Sequence, residues 1–241
     1  DMARPILISA VRHYPHDEEK IATIARMCLN FLIRYISVLK NKPTSLEKDI
    51  SEWACDPSFS LEMLKEKFEE KAPDAKFKEA LSNISIPYTS QLAHYLLCVY
   101  EAEGFNRKEI WTSPGRFTNT VEHILPQEVN PTTPSGQYWL TQFDNLDNCS
   151  IYEERLGNYA FLTKPAQSKA LNREFDHKKH IYSTETDMLL TKELTTYDDW
   201  NPENVMKRQA KMADVFRFVD MRDHSLFQIQ NLLAREQKSP S

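Results

Sequence analysis

A short run of β-branched and apolar residues, closed by a proline, stands between two segments that are patterned for helices. The run covers residues 119–127 and reads NTVEHILPQ. A run of this composition that stops at a proline is typical of a strand ending at a turn. The sequence therefore predicts a strand whose end carries two adjacent polar side chains, Glu122 and His123.

The Glu122–His123 pair combines two groups that are useful for hydrolysis. The carboxylate can supply a hard oxygen ligand to a divalent metal ion. The neutral imidazole titrates near physiological pH and can accept a proton from water. By itself the pair indicates hydrolytic chemistry only in outline, because a Glu-His dipeptide at a strand end is more often ordinary surface.

Two further segments follow the pair in order along the chain. Residues 155–162 contain a turn glycine, Gly157, then Asn158 and an aromatic and apolar strand. Residues 171–178 form a polar helical segment with one apolar anchor, Phe175. The predicted order of elements is therefore strand, loop, strand and helix.

These motifs resemble the HNH, or His-Me finger, nucleases, and more narrowly the nuclease domain of GmrSD-type proteins. The matching motifs are Val-Glu-His-Ile-Leu-Pro-Gln at 121–127, Leu-Gly-Asn at 156–158 with the strand after it, and Asn-x-x-Phe-x-x-Lys at 172–178. Trp200 and Arg208 also fall where the closing helical segment of the family carries such residues. The resemblance covers the chain from about the first helix to residue 220. It implies a mainly α fold with a small ββα-metal core.

The resemblance also implies roles for individual residues. His123 would be the general base that activates the attacking water, and Asn158 would orient its imidazole. One Mg²⁺ or Mn²⁺ ion, held by Glu122 and a downstream amide, would stabilise charge on the phosphorane and on the leaving 3′ oxygen.

The downstream amide is the point at which this chain departs from the family pattern. The family places an asparagine nine residues after the position of Asn158, and this chain has Gln167 there. Either Gln167 still binds the ion on its longer side chain, or Asn172 does, or metal binding is weakened. Position favours Gln167 as the ligand, with Asn172 bonding to backbone before Phe175.

A basic segment lies close to these residues. The whole chain has a net charge of −5, so contact with DNA must be concentrated on a local basic face. Residues 164–180 supply five lysines or arginines against two acidic residues. We expect Arg173, Lys178 and Lys179 to bind backbone phosphates, which gives affinity without sequence specificity.

The rest of the chain predicts three regions. We expect a helical platform over residues 1–115, an HNH nuclease core over 116–200, and a long C-terminal helix with a tail, 201–241, that packs on the platform. Residues 131–148 are rich in Thr, Pro, Ser, Gly, Asn and Asp and predict a long, partly structured loop.

Several helix starts are predicted from capping residues. Asp17, Ser60 and Asn201 each precede a segment with helical apolar spacing, and Pro202 suits the first position of the last helix. Thr44 with Glu47 predicts a capping box.

Cysteine usage and hydropathy bear on the cellular compartment of the protein and on contact with a membrane. The four cysteines form no Cys-x-x-Cys pair, so no structural zinc is expected, and reduced thiols in the cytoplasm are the better interpretation. No run approaches the ~20 uninterrupted apolar residues of a membrane span, so no membrane partner is expected.

The most specific function that the resemblance implies is a metal-dependent DNA endonuclease domain of a modification-dependent restriction or phage-defence protein. Its partners would be double-stranded DNA and an N-terminal nucleotidase or sensor domain of the full-length protein. The alternative is a catalytically degenerate, HNH-like DNA-binding or assembly module, because Gln167 replaces the expected asparagine.

Overall fold

A computed structural model describes residues 2–107, 110 and 119–216, and this part of the chain is mainly helical with one small antiparallel sheet. The predicted mainly α class is confirmed to that extent. The elements are α1 (Arg4–His13), α2 (Glu18–Leu32), α3 (Glu47–Cys55), α4 (Leu61–Lys71), α5 (Asp74–Asn83), α6 (Gln91–Val99), β1 (Thr120–His123), α7 (Pro134–Phe143), α8 (Leu146–Glu153), β2 (Tyr159–Leu162), α9 (Lys164–Ala170), α10 (Phe175–Thr184), α11 (Leu189–Lys192) and α12 (Pro202–Val215). π-helical turns extend α2 over Ile33–Val38 and α6 over Tyr100–Gly104, and 3₁₀ turns cover Pro43–Leu46, Leu156–Asn158 and Glu193–Thr196.

The chain divides into two compact units, with the division after residue 80. The expected boundary at residue 115 lies outside the described residues, as does the tail over 217–241. Helix α12 belongs to the second unit, residues 81–216, where it packs against the 3₁₀ turn Leu156–Asn158. The expected packing of the tail on the platform stays a prediction.

The first unit is built around an aromatic core. The ring of Phe31 stacks on that of Phe68 at 4.2 Å, and the indole of Trp53 meets both rings edge-on. Two predicted caps are confirmed, since Asp17 accepts a hydrogen bond from the amide of Lys20 and Ser60 does so from Met63. These local caps set the starts of α2 and α4.

The predicted capping box at Thr44 is wrong. Pro43 opens a 3₁₀ turn through Leu46, and α3 begins after that turn with no side-chain cap. Since proline fixes its own φ angle near the helical value, the tighter turn begins at Pro43 and leaves Thr44 inside it.

The continuous helix Glu18–Val38 has the length and mean hydropathy, 1.4, that a membrane crossing requires. Its residues Ile24, Cys28 and Phe31 are almost fully buried, and Arg34 forms an ion pair with Asp74. A buried apolar face and a paired charge are what a core helix of a globular unit requires. The absence of a membrane partner stays a prediction.

The sheet of the second unit consists of β1 and β2, which pair antiparallel. In the register, Val121 lies opposite Phe161, and His123 lies opposite Tyr159. All four residues of β2 are buried. A two-stranded ribbon of this size is not stable alone in water, so its position depends on the helices around it.

The predicted loop over 131–148 is wrong, because two helices occupy most of it. Thr133 caps α7 through the amide of Gly136, and Asn145 caps α8. Trp139 and Phe143, four residues apart, are both buried on α7. Polar composition suggested a loop, but a threonine followed by proline and then apolar residues at helical spacing is also a helix start.

Gly157 is required by close packing and not by an unusual backbone angle. The described glycines have no positive φ. A Cβ atom at Gly157 would overlap the carbonyl oxygen of Val205 and press on Gln209 of α12. The glycine therefore lets α12 lie directly against the turn that precedes β2.

Gly157→Ala should destabilise the second unit by about 1 to 3 kcal/mol, because the extra methyl group must push backbone away from backbone. Gly104→Ala is the matched control, since its Cβ would meet side-chain atoms at 3.2 Å or more. Urea denaturation of the two variants beside the wild type measures the difference. Equal stabilities of both variants would contradict the packing argument.

Candidate functional site

His123 lies at the end of β1 and is nearly enclosed. Its side chain and backbone together are 8 % exposed. The imidazole packs edge-on against the rings of Tyr88, at 4.9 Å, and Tyr159, at 5.1 Å. Tyr159 is buried, whereas Tyr88 is 39 % exposed. Tyr88 was not singled out in the sequence, because its contact joins residues far apart in the chain.

The Nε2 atom of His123 is buried and has no hydrogen-bond partner among the described residues. Burial, and then the charge of Lys178, lowers the pKa of His123 from 6.5 to about 4. The imidazole is therefore neutral at pH 7 and can accept a proton. A buried polar atom without a partner costs stability, and such atoms in native proteins call for an explanation.

Glu122 is buried and its carboxylate is ion-paired. Its Oε1 atom lies 2.8 Å from Nζ of Lys178 and 3.5 Å from the hydroxyl of Tyr182. Glu122 itself is 3 % exposed. Burial lowers the pKa of the Lys178 ammonium, and the charge of Glu122 opposes that shift.

Lys178, expected to bind DNA phosphate, lies inside the protein. It is fully buried on α10, and its Nζ atom also donates to the carbonyl oxygen of His123 at 2.6 Å. The ammonium is thus turned toward β1 and away from solvent. The signal was present in the sequence: Phe175, Lys178 and Tyr182 lie three and four residues apart, which places them on one face of a helix.

Asn158 has different partners from those expected. Its Oδ1 atom accepts hydrogen bonds from the amide of Leu125, at 2.8 Å, and from the indole Nε1 of Trp200, at 3.0 Å. Its Nδ2 atom donates to the carbonyl oxygens of Leu125 and Glu153, both at 3.0 Å. A primary amide has two donor and two acceptor positions, so none remains for the imidazole of His123. In this arrangement Asn158 fixes the backbone directly after β1.

Gln167 connects α9 to β1. Its Oε1 atom accepts from the hydroxyl of Thr120 at 2.8 Å, and its Nε2 atom donates to the carbonyl oxygen of Val121 at 3.0 Å. The amide oxygen that was expected to bind a metal ion is therefore used within the protein. The Gln167 side chain thus holds α9 against the edge of β1 that does not pair with β2.

The remaining predicted residues lie at or near the surface. Asn172 and Arg173 are exposed in the turn before α10. Lys179 is partly exposed and pairs with Asp176 at 2.8 Å. Of the three residues expected to contact phosphate, Arg173 and Lys179 are accessible to DNA and Lys178 is not.

The candidate metal ligands do not fit a divalent ion as they lie. The carboxylate of Glu122 is bonded to an ammonium, the amide of Gln167 is bonded to β1, and Asn172 is exposed in a turn. In the described ranges, no group of three or more His, Cys, Asp or Glu residues could hold a metal ion. Mg²⁺ requires oxygen atoms at about 2.0 to 2.1 Å in near-octahedral geometry, and these three residues do not provide it.

Comparison with known proteins identifies the region that contains this site. The family described as GmrSD restriction endonucleases, C-terminal domain, matches residues 71–215. That range covers more than half of the 241 residues and includes every site residue named above. No curated protein matches the chain.

Asn158→Ala should lower the free energy of unfolding by at least about 3 kcal/mol, because it leaves several buried groups without partners. Asn172→Ala, at an exposed position, should change it by less than about 0.5 kcal/mol. Urea denaturation followed by tryptophan fluorescence measures both. A stable Asn158→Ala variant would show that the amide is not a structural clamp.

Stability should depend on pH through His123. The folded pKa is about 4 and the unfolded value is ~6.5, so the folded state binds fewer protons between these values. The stability that the neutral imidazole gives to the folded state is therefore complete above pH 6.5. It is lost as the pH falls toward 4, by at most about 3 kcal/mol.

The measurement compares unfolding between pH 4 and 7 for the wild type and His123→Gln, in the presence of EDTA. The variant should lose less stability on acidification than the wild type. His177→Gln, at an exposed position of α10, is the control and should follow the wild type. Parallel curves for all three proteins would contradict a buried neutral imidazole.

Proposed function

Since the chain belongs to the GmrSD restriction endonuclease family through its C-terminal domain, we propose that it is an HNH-type DNA endonuclease with His123 as general base. The observation that carries the proposal is the Nε2 atom of His123, which is buried, neutral at pH 7 and without a partner among the described residues. Such an atom can take a proton from a water molecule that reaches it.

The order and pairing of the elements support a His-Me finger. Strand β1 ends at His123, β2 pairs with it antiparallel, and the helices α9 and α10 follow β2 directly. A polar side chain from each of these helices contacts β1. This is the ββα order expected for such a nuclease core, with one short helix inserted before α10.

In the proposed reaction, His123 accepts a proton from the attacking water at Nε2. A general base of this kind contributes about 10² to 10⁴ to the rate. Lys178 and Asn158 are positioning residues, because they bond to the backbone at His123 and Leu125. The Nε2 atom is buried, so water and phosphate reach it only when neighbouring side chains move aside.

DNA would approach the basic surface of α9 and α10. Lys164, Lys169 and Arg173 are exposed, and Lys179 is partly exposed. Lysines and arginines placed in this way bind backbone phosphates and give salt-dependent affinity with little sequence preference.

Divalent metal is not assigned a step in this mechanism. The expected Mg²⁺ or Mn²⁺ would supply positive charge to the phosphorane and the leaving oxygen. Glu122, Gln167 and Asn172 do not form its site in the arrangement described above. The protein's own residues therefore contribute proton transfer at His123 and the positioning of its strand by Lys178 and Asn158.

The family supports a role in restriction, and we extend the proposal to modification-dependent restriction in phage defence. In that setting the protein acts in the cytoplasm on double-stranded DNA. A nucleotidase or sensor domain of the full-length protein would recognise the modification, and the site around His123 would cut.

One observation favours a second candidate, a catalytically degenerate module that binds DNA or assembles with other proteins. Glu122 is bonded to Lys178 and the imidazole is almost enclosed. If both features are permanent, these residues stabilise the fold and do not catalyse DNA cleavage. Catalysis distinguishes the two candidates.

His123→Ala should reduce plasmid nicking by about 10² to 10⁴. The protein should still fold at neutral pH, with a lower thermal unfolding midpoint, because the packing against Tyr88 and Tyr159 is lost and the removal of a buried atom without a partner offsets only part of that loss. Nicking of supercoiled plasmid, in Mg²⁺, Mn²⁺ and EDTA, is the measurement.

His180→Ala is the control, because it removes an imidazole from an exposed position of the same unit. It should nick at the wild-type rate. Equal nicking by His123→Ala and the wild type would end the assignment of the base. Binding of DNA by the wild type without nicking in any buffer would favour the degenerate module.

A further inference from the structure

Two oxygen atoms of β1 form a small cradle around the ammonium of Lys178. The Nζ atom lies 2.8 Å from Oε1 of Glu122 and 2.6 Å from the carbonyl oxygen of His123. One of these oxygens carries negative charge and the other is a backbone carbonyl. Carboxylate and carbonyl oxygens are also what a hard divalent cation binds.

A divalent ion and the ammonium cannot occupy this cradle together. An ion bound to the same two oxygens at about 2.0 to 2.6 Å would overlap the Nζ atom and would be repelled by its charge. Glu122 is 3 % exposed, and Lys178 is fully buried. The lysine therefore has no adjacent solvent into which its head group could simply swing.

We infer that the ammonium of Lys178 is the resident cation of this site, and that Glu122 does not bind a divalent ion while the pair with Lys178 is intact. The carboxylate then serves to hold the lysine, and the lysine holds the carbonyl oxygen of His123. Both act as positioning residues for the strand end that carries the imidazole.

The energetics of buried ion pairs agree with a positioning role. Removing one partner of such a pair is strongly destabilising, because the other charge is left buried alone. Replacing both partners by well-packed apolar side chains of similar volume is often neutral. A pair of this kind contributes little net stability compared with an apolar pair, but it fixes Nζ against two defined oxygen atoms.

This role of Lys178 rests on the proposed function of the site around His123, but it is tested without measuring catalysis. The readout is Mn²⁺ binding by the folded chain, measured through the paramagnetic broadening of amide NMR signals. A chain that binds Mn²⁺ at Glu122 and fails to nick DNA would overturn the inference about Lys178 and, separately, the proposed activity. The two failures are therefore distinguishable.

The first arm uses the unaltered chain. As Mn²⁺ is added, the amide signals of Glu122 and His123 should keep the same widths as the signal of a buried residue in the first unit, Ile24. Selective broadening of the Glu122 and His123 signals would overturn the inference, because it would place the ion beside Glu122 while Lys178 is present.

The second arm removes the lysine. Lys178→Met should lower the thermal midpoint in EDTA and should gain a Mn²⁺-dependent rise in that midpoint, because a ligand that binds only the folded state stabilises it. The double variant Lys178→Met with Glu122→Gln should show no such rise. A folded Lys178→Met variant that does not respond to Mn²⁺ would overturn the assignment of a cation cradle.

The matched control is Lys169→Met, which breaks the exposed ion pair with Glu185 at 2.7 Å. Exposed surface pairs contribute little to stability, so its thermal midpoint and its response to Mn²⁺ should equal those of the wild type. If Lys178→Met does not fold at all, the signal widths of the unaltered chain decide the question alone.

Discussion

Side chains from four successive helices close the outer edges of the two-stranded sheet. On β1, Gln167 of α9 bonds to the carbonyl oxygen of Val121, and Lys178 of α10 bonds to that of His123. On β2, Thr191 of α11 bonds to both the amide and the carbonyl oxygen of Phe161, and Arg208 of α12 bonds to the carbonyl oxygen of Tyr159. Open sheet edges carry unpaired backbone groups. These four side chains satisfy such groups, and the small sheet depends on them.

This edge closure explains why residues selected as functional have structural contacts. Gln167 was expected to bind metal and Lys178 to bind phosphate, yet both side chains point at β1. The strand that carries His123 is thereby fixed at its start by Gln167, at its end by Lys178, and just beyond its end by Asn158. The base proposed at His123 would have to meet water and phosphate within a fraction of an ångström, which requires such a support. Under that proposal, the motif residues contribute to chemistry by fixing the strand.

Several features that depend on neighbouring residues were predicted correctly, although the capping box at Thr44 and the loop over 131–148 were not. The caps at Asp17, Ser60 and Asn201 act within four residues and were correct. The partners of Asn158 were missed, because its bond to Trp200 joins residues 42 positions apart. The motif also does not indicate which way the Asn158 side chain points. The burial of Lys178 could have been inferred from the apolar residues at helical spacing on each side of it, but its charge suggested an exposed side chain.

Burial and the charge of Lys178 keep the imidazole of His123 neutral, and they also make it a weaker base. The charge of Lys178 adds to burial in lowering the pKa of His123, so little of the imidazole is protonated at pH 7. A base with a low pKa has a weaker attraction for the proton of water, which limits the rate that it can supply. A negative phosphate that approaches the imidazole acts in the opposite direction, since a nearby negative charge favours the protonated form. The substrate itself would therefore strengthen the base on binding, at the moment when proton transfer is required.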